Sequence, residues 1–373
     1  MRVTRNMMLS SMMMNISDIQ KKLFKNQMQI SESRRILTPA DDPSGTTHVL
    51  FNKTAMAKNE QYQTNVMRAL NWMETTESVL DQLNTLFSDV DVIANRGATD
   101  IYGANERHTY AEDISDQLDN LLKFARTMYN GRYIFGGHET MSAPFEGSNV
   151  VENETVNVNV GAAQNLQHVH LEKESVIVRD TSGGTTYSEG TDYTIDYENG
   201  TITALASGNM VDGQNYVIDY KTEGISSVTT NSKGTSGDIK YQIGNDVTAA
   251  INIQGDELFT DQVDMFNLLI DLRNKLERDD IDGVQGLIGD IKTGIEHITK
   301  MSGEMGGRVS RLTMTSQFLE NEHIQLEDIG SRENDLDVAA ALVQMQALDL
   351  AYQTSLTANS EILQMSLVNL LNR

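Results

Sequence analysis

The 373-residue sequence contains no cysteine, and this absence excludes disulfide bonds and thiolate metal sites. Only three residues are proline, the residue that interrupts helices most strongly, so the composition permits long helices. No apolar run reaches the ~18 residues that cross a bilayer, and the start of the chain lacks the apolar core of a cleaved signal peptide. We therefore expect a soluble chain that stays in the cytosol or is exported without a cleaved signal.

Positive charge is also scarce, because 29 lysines and arginines face 53 aspartates and glutamates, for a formal net charge of −24. Nucleic acid and anionic membranes are therefore not expected as partners. The charge is uneven: residues 145–257 carry 17 acidic and 5 basic side chains, a net of −12. Residues 1–40 carry a net +5 and residues 334–373 a net −3, which predicts that the two ends pair with each other or with neighbouring copies.

Apolar residues recur at alternating steps of four and three in two long segments, as in coiled coils. The first segment carries Tyr62, Val66, Ala69, Met73, Thr76, Leu80, Leu83, Phe87, Val90 and Ala94. The second carries Val284, Ile288, Ile291, Ile295, Ile298, Ser302, Met305, Val309, Leu312, Ser316, Leu319, His323 and Leu326. At ~1.5 Å per residue the second helix would be on the order of 60 Å long, which predicts an elongated helical rod.

The middle of the chain, residues 145–257, alternates apolar and polar residues as β-strands do. Asn199-Gly200 predicts a two-residue hairpin turn, and Asp212-Gly213 repeats the signal. We therefore predict an antiparallel β-rich domain inserted into a mainly α-helical rod. Its tyrosines are interpreted as core residues, with a carbohydrate-binding or adhesive platform as the alternative; they are Tyr187, Tyr193, Tyr197, Tyr216 and Tyr220.

The stretch "RILTPADDPSG", residues 35–45, contains two of the three prolines and predicts a joint between two helices. Thr38-Pro39 and Asp42-Pro43 each have the form of an N-cap followed by proline at the first helical position. One helix is therefore expected to end near residue 37 and the next to begin near residue 43. The joint residues are Pro39, Asp42 and Pro43.

Each end of the chain carries a narrow apolar stripe that we predict to be an assembly interface. The N-terminal stripe contains Leu9, Met12, Ile16, Ile19 and Leu23. The C-terminal stripe contains Val338, Leu342, Met345, Tyr352, Leu356, Leu363 and Leu370. Such helices are marginal in isolation, so burial of the two stripes is expected to supply most of the energy that orders them.

Several stretches, in this order along the chain, resemble the bacterial flagellin superfamily. They are "MRVTRNMML", "ILTPADDPSG", "RYIFGGHETMSAPF", "GEMGGRVSRL" and the C-terminal "DLDVAAALVQMQALDLAYQTSLTANSEILQMSLVNLL". The resemblance covers residues 1–145 and 258–373. Within the superfamily, the "YIFGG…T…PF" segment and the lack of an Asn-x-Pro-Gln element near the end favour the hook–filament junction subunits over flagellin itself.

The resemblance implies a structural flagellar subunit that is not an enzyme, has no cofactor or metal, and is exported unfolded through the flagellar secretion channel. Its implied partners are copies of itself, hook-associated protein 1 on the hook side, flagellin on the filament side, and an export chaperone. The implied domains are an N-terminal assembly helix (1–40), the N-terminal half of the rod (41–144), the inserted outer domain (145–257), the C-terminal half of the rod (258–333) and a C-terminal assembly helix (334–373).

Three further patterns favour ordinary structural interpretations. His168 and His170 lack an evident third ligand, so we interpret them as surface histidines on a strand rather than a metal site. "DDIDG", residues 279–283, has isoleucine where a calcium loop needs an oxygen ligand and predicts a turn between helices. "GEMGGR" lacks the context of a phosphate-binding loop and predicts close helix packing. No arrangement of residues supports catalysis.

Overall fold

The computed structural model describes residues 5–231 and 233–371; of the side chains in the terminal helices, those of residues 5, 6, 9, 362, 363 and 365–371 lie outside this description. The chain divides into two compact units, one formed by Met1–Thr64 and Gln317–Arg373 and the other by Asn65–Ser316. The helices are α1 (Arg5–Glu32), α2 (Pro43–Gly97), α3 (Ala104–Ala125), α4 (Met265–Glu277), α5 (Ile281–Asn334) and α6 (Val338–Leu371), with a π-helical turn at Glu257–Asp261. None of the described helices is long and apolar enough to cross a membrane.

The helical core of the second unit follows the four-three pattern of the sequence. Nine positions of the α2 stripe are fully buried: Val66, Ala69, Met73, Thr76, Leu80, Leu83, Phe87, Val90 and Ala94. On α5, Val284, Ile291, Ile298 and Met305 are fully buried as well. Gly294 lies in the same seam, where an added Cβ would be 3.2 Å from Phe87 Cε1, so any larger residue would require the Phe87 ring to shift by a few tenths of an ångström. The predicted stripes are confirmed.

The first unit uses polar side chains to join α2 to α5. Asn59 is buried, and its Nδ2 donates to the Leu319 carbonyl oxygen at 3.0 Å and to Glu322 Oε2 at 2.9 Å. Two turns towards the start of α2, Asn52 Nδ2 donates to the Leu326 carbonyl oxygen at 2.8 Å. Because buried amides must keep their partners, these bonds fix the register of the two helices.

In the described part of the chain, thirteen short strands lie between α3 and α4. They are β1 (Met128–Tyr129), β2 (Arg132–Tyr133), β3 (Phe145–Ser148), β4 (Val150–Val158), β5 (Ala163–Asn165), β6 (Ile177–Asp180), β7 (Thr186–Tyr187), β8 (Tyr193–Asp196), β9 (Thr201–Ala204), β10 (Gln214–Lys221), β11 (Ser227–Thr230), β12 (Lys240–Gly244) and β13 (Val247–Ala250). The larger sheets have the strand orders β4-β10-β6-β7 and β5-β9-β8, and every pairing between these strands is antiparallel. The prediction of a mainly α fold with an inserted antiparallel β-rich domain is confirmed.

The predicted tyrosines form part of the β-domain core. Tyr193, Tyr216 and Tyr220 are at most 2% exposed, and Tyr187 and Tyr197 are half-buried beside them. The rings of Tyr187 and Tyr216 meet edge to face with centroids 5.2 Å apart, an arrangement that aromatic pairs prefer. These rings therefore do not form an exposed platform for a ligand.

Two details of the predicted β-domain are wrong. A four-residue loop, 197–200, joins β8 to β9 in place of a two-residue turn, because the Asp196 carboxylate accepts hydrogen bonds from the backbone N–H groups of Glu198 and Asn199. Gly200 has φ +61°, and a Cβ there would lie 2.0 Å from the His168 carbonyl oxygen. Asp212-Gly213 does not close a hairpin either, since β10 pairs with β4 and β6.

Candidate functional site: the terminal helices and their joint

Helices α1 and α6 pack against each other within the first unit. On α1 the predicted side chains Met12, Ile16, Ile19 and Leu23 are all half-buried. A hydrogen bond crosses the seam, from Gln20 Nε2 to the Tyr352 hydroxyl oxygen at 2.8 Å. The N-terminal stripe therefore faces the other end of the same chain.

The seam on α6 follows Ala341, Met345, Leu348 and Tyr352, the first buried and the others half-buried. Met345 and Tyr352 belong to the predicted stripe and lie in this seam. Other predicted members lie on more exposed surface: Val338 is 42% exposed, Leu342 41% and Leu356 44%. The side chains of Leu9, Leu363 and Leu370 lie outside the described residues. Sequence reasoning followed the larger apolar side chains and missed the small Ala341, which is buried within the first unit.

The outward faces of this helix pair carry many exposed apolar side chains. On α1, Met7, Met13 and Phe24 are each more than 60% exposed. On α6, Val343 is 68% and Leu350 66% exposed, and the two lie on one face because they are seven residues apart. Extended apolar surface of this kind marks a site of interaction with another protein surface.

Opposite charge does not join the two helices directly. Among the described residues, no ion pair connects α1 to α6, although the sequence predicted complementary ends. Lys21 pairs with Asp18 on its own helix at 3.5 Å, and Lys25 pairs with Asp41 in the joint at 2.6 Å. The pairing of the ends therefore depends on the apolar seam, as expected for exposed charges that salt screens.

The joint begins α2 in the predicted way. Pro43 is the first residue of α2, and Asp42 Oδ1 accepts a hydrogen bond from the Gly45 N–H at 2.9 Å, which makes Asp42 the N-cap. This bond, together with the Arg35 guanidinium 3.2 Å from Oδ2, lowers the pKa of Asp42. Asp41 is more strongly affected, because a hydrogen bond from Lys25 and further bonds from backbone N–H groups lower its pKa to about 2.

The first half of the joint differs from the prediction. Helix α1 ends at Glu32 rather than near residue 37, and no helix begins at Pro39. Pro39 instead occupies the second position of a turn that the Asp41 N–H closes onto the Thr38 carbonyl oxygen at 3.0 Å. The Asp41 carboxylate also accepts from the Thr38 N–H at 3.0 Å, so local side-chain bonding favours the turn over a helix.

Residues 34 and 35, which lie beyond the end of α1, contact the connection between α5 and α6, and no local sequence pattern could predict this contact between distant residues. The Arg35 N–H donates to the Asn334 carbonyl oxygen at 2.7 Å, and the Arg35 guanidinium donates to the Glu333 carbonyl oxygen at 2.8 Å. Arg34 and Asp335 form an isolated antiparallel bridge. The α1–α2 and α5–α6 connections thus lie side by side, and the hydrogen bonds of Arg35 join them.

The two predicted surface histidines are neither on a strand nor equivalent. His168 is 3% exposed, its Nδ1 lies 3.2 Å from Asn274 Nδ2, and burial lowers its pKa from 6.5 to about 4. His170 lies instead beside His108 of α3 and Glu277, the last residue of α4. These partners are 62 and 107 residues away in the sequence, so no local spacing could reveal them. The "DDIDG" turn joins α4 to α5 as predicted, with Asp280 capping α5 through the Gly283 N–H at 2.9 Å.

Comparison with known proteins assigns both ends of the chain. Residues 3–140 match the bacterial flagellin N-terminal helical region, and residues 288–371 match the bacterial flagellin C-terminal helical region. The chain belongs to the flagellin family. Residues 141–236 of this flagellin-family chain match a further family, which is described only as a protein of unknown function.

Relatives within the flagellin family include hook-associated proteins and a flagellin. Flagellar hook-associated protein 3 of Escherichia coli K12 is 31% identical over 170 residues, which cover 44% of this chain and 54% of that protein. The chain thus spans about half the length of the hook-associated relatives it matches. Polar flagellin F of Vibrio parahaemolyticus is 20% identical over 357 residues, 90% of this chain and 89% of that protein.

Solved structures show that the fold is shared. A Vibrio parahaemolyticus protein assigned as a flagellar hook-associated protein superimposes with a TM-score of 0.54 at 13% sequence identity. The superposition covers 79% of this chain and all of the other. At this identity the likeness establishes a common fold and nothing further.

Proposed function

We propose that this chain is a structural subunit of the bacterial flagellum that joins the hook to the filament. The observation that carries the proposal is the α1–α6 pair, formed by the two ends of one chain, with exposed apolar side chains such as Met13, Phe24 and Leu350 on its outer faces. A helix pair of this kind buries its remaining apolar surface by packing against copies of itself. The 31% identity to a hook-associated protein supports the junction role.

In this proposal the stripes of α1 and α6 form the assembly interface, and the joint at Pro39, Asp42 and Pro43 sets the direction in which the chain leaves it. Residues 1–40 and 334–373 act as assembly helices, 41–144 and 258–333 as the two halves of a rod, and 145–257 as an outer domain. The subunit has no catalytic role. It contacts copies of itself, hook-associated protein 1 on the hook side and flagellin on the filament side.

Export through the flagellar secretion channel is part of the same proposal, since a subunit at the tip of the growing structure must leave the cytoplasm. The exposed apolar side chains of α6, including Val343 and Leu350, would promote premature association in the cytoplasm. A flagellar export chaperone that covers α6 would prevent this association. The subunit would then order its terminal helices on assembly, with the entropic cost offset by burial of both stripes.

Flagellin is the second candidate, because the likeness to polar flagellin F extends over 90% of this chain. The two functions differ in where the subunit lies along the flagellum. A junction subunit occupies one short zone between hook and filament, whereas a filament subunit extends along the whole filament.

The test is a deletion strain complemented with a labelled copy of the chain. Under the junction role, the deletion leaves bare hooks, releases flagellin into the medium and abolishes swimming, and the labelled copy appears by electron microscopy at the hook end of each filament. Label along the whole filament would establish the flagellin function instead. Normal filaments and normal swimming in the deletion strain would contradict both functions.

A further inference from the structure

Three side chains from distant parts of the second unit converge at the edge of the inserted domain. They are His108 of α3, His170 of the loop between β5 and β6, and Glu277 at the end of α4. One ligand atom from each lies within 4.8 Å of the other two. The two imidazole rings are stacked, with centroids 5.4 Å apart and an angle of 24° between the planes.

Both imidazoles are directed at the same carboxylate. His170 Nε2 lies 3.1 Å from Glu277 Oε1, and His108 Nδ1 contacts Glu277 Oε2. The Glu277 side chain is only 4% exposed, and within the described part of the chain its Oε2 is buried and accepts no well-formed hydrogen bond. A buried carboxylate oxygen without a hydrogen bond is costly, so it needs another partner.

The backbone of the inserted domain holds His170 in place. His170 has φ +52°, and its N–H donates to the Glu198 carbonyl oxygen at 3.1 Å. Its own carbonyl oxygen accepts from the Glu223 N–H at 2.8 Å. Two backbone bonds thus fix a conformation that side-chain-bearing residues seldom adopt, and they turn the imidazole towards the helices.

A cavity of about 220 Å³ opens beside His170 and Glu277 and has room for water ligands. Two more carboxylates, Glu112 and Glu223, line it together with one guanidinium, Arg273. The Arg273 Nη1 donates a hydrogen bond to the Ile225 carbonyl oxygen at 2.8 Å. With Glu277, three carboxylates line the cavity against one guanidinium and the His170 imidazole, and this excess of acidic groups favours a bound cation.

We propose that His108, His170 and Glu277 bind one divalent transition-metal ion of the Zn²⁺ class, which fastens the inserted domain to α3 and α4. Two imidazoles and one carboxylate are a donor set that suits Zn²⁺, with water from the cavity at the fourth position. The ion would bind Glu277 Oε2, whose contact with His108 Nδ1 is not a well-formed hydrogen bond. The ion would act as a crosslink, since His170 belongs to the inserted domain, His108 to α3 before this domain in the sequence, and Glu277 to α4 after it.

The test uses the full-length untagged chain, stripped of metal and titrated with Zn²⁺ by calorimetry, and with Co²⁺ by visible absorption. We expect one Zn²⁺ per chain and the absorption bands of four-coordinate Co²⁺. Glu277→Gln and His108→Asn should each weaken Zn²⁺ binding by at least about 100-fold, since even second-shell changes cost up to that much. His138→Asn, which removes another exposed histidine outside the cluster, is the matched control and should bind as the wild type does.

A second readout measures stability, because a ligand that binds only the folded state raises the melting temperature. Zn²⁺ should raise the melting temperature of the wild type and of His138→Asn and leave that of Glu277→Gln unchanged. Circular dichroism confirms that each variant is folded, and Glu277→Gln keeps the size and shape of the side chain. If the wild type binds Zn²⁺ no more tightly than Glu277→Gln does, the cluster is a metal-free ion pair and the proposal is overturned.

Discussion

Acidification should destabilise the inserted domain through His168. Its side chain is buried against the Tyr220 ring and α4, with Asn274 Nδ2 3.2 Å from Nδ1. Burial is the main cause that lowers the pKa of His168 from 6.5 to about 4, and the positive charges of Arg273 and Arg278 act in the same direction. The folded protein therefore holds this imidazole neutral at pH values where the unfolded chain protonates it.

The size of the effect follows from the two pKa values. Between pH 6.5 and 4 the unfolded state binds more protons at His168 than the folded state, so the free energy of unfolding falls as the pH falls. The two pKa values of His168 differ by about 2.5, and at 1.36 kcal/mol per pKa unit this difference lowers the free energy of unfolding by about 3 kcal/mol. This His168 contribution to the free energy of unfolding is fully present above pH 6.5 and fully lost below pH 4.

The nearby Glu154 acts in the opposite direction and must be separated from this effect. Burial raises the pKa of Glu154, although Tyr220 donates a hydrogen bond to its Oε2 at 2.5 Å. Its protonation on acidification therefore favours the folded state. The relevant quantity is the difference between the wild type and His168→Asn at each pH, since Glu154 is present in both.

The assay combines an NMR titration of the imidazole signals with hydrogen exchange of the β9 and β10 amides, both from pH 7 to pH 3.5. His168 should titrate near pH 4, and the stability advantage of the wild type over His168→Asn should shrink as the pH falls. The stability of the control variant His138→Asn should match that of the wild type at every pH. A His168 signal that titrates near 6.5 in the folded protein, or a constant stability gap, would refute the reasoning.

Three further predictions concern assembly. Leu350→Asp should change the free energy of unfolding of the free subunit by no more than about 0.5 kcal/mol and abolish polymerisation in a light-scattering assay. Met345→Asp, in the seam with α1, should have the same two effects, since the terminal helices order only on assembly. Pro43→Ala should destabilise the subunit by at most about 1 kcal/mol but slow junction assembly, and assembly at the wild-type rate would show that the joint matters little. In limited proteolysis of the free subunit, residues 1–40 and 335–373 should be cleaved well before residues 62–94; equal resistance would contradict ordering on assembly.

The sequence by itself determined the helical core and the start of α2. The stripe from Val66 to Ala94 could be predicted because helical periodicity is local. The apolar face of such a helix is the face that becomes buried, whatever part of the protein packs against it. Asp42 and Pro43 could be predicted for the same reason, since an N-cap bonds to backbone only three residues ahead. The identity of the family also came from linear motifs at both chain ends.

Only the tertiary structure decided which face of α6 meets α1. This helix carries apolar side chains on several faces, so periodicity does not select one, and packing buries Ala341 while it leaves Val343 and Leu350 exposed. The tertiary structure likewise turned the Pro39 segment away from a helix, because the backbone at Arg35 bonds to residues some 300 positions later. It also brought His108, His170 and Glu277 together, since contacts between side chains so far apart in sequence depend on how the whole unit folds.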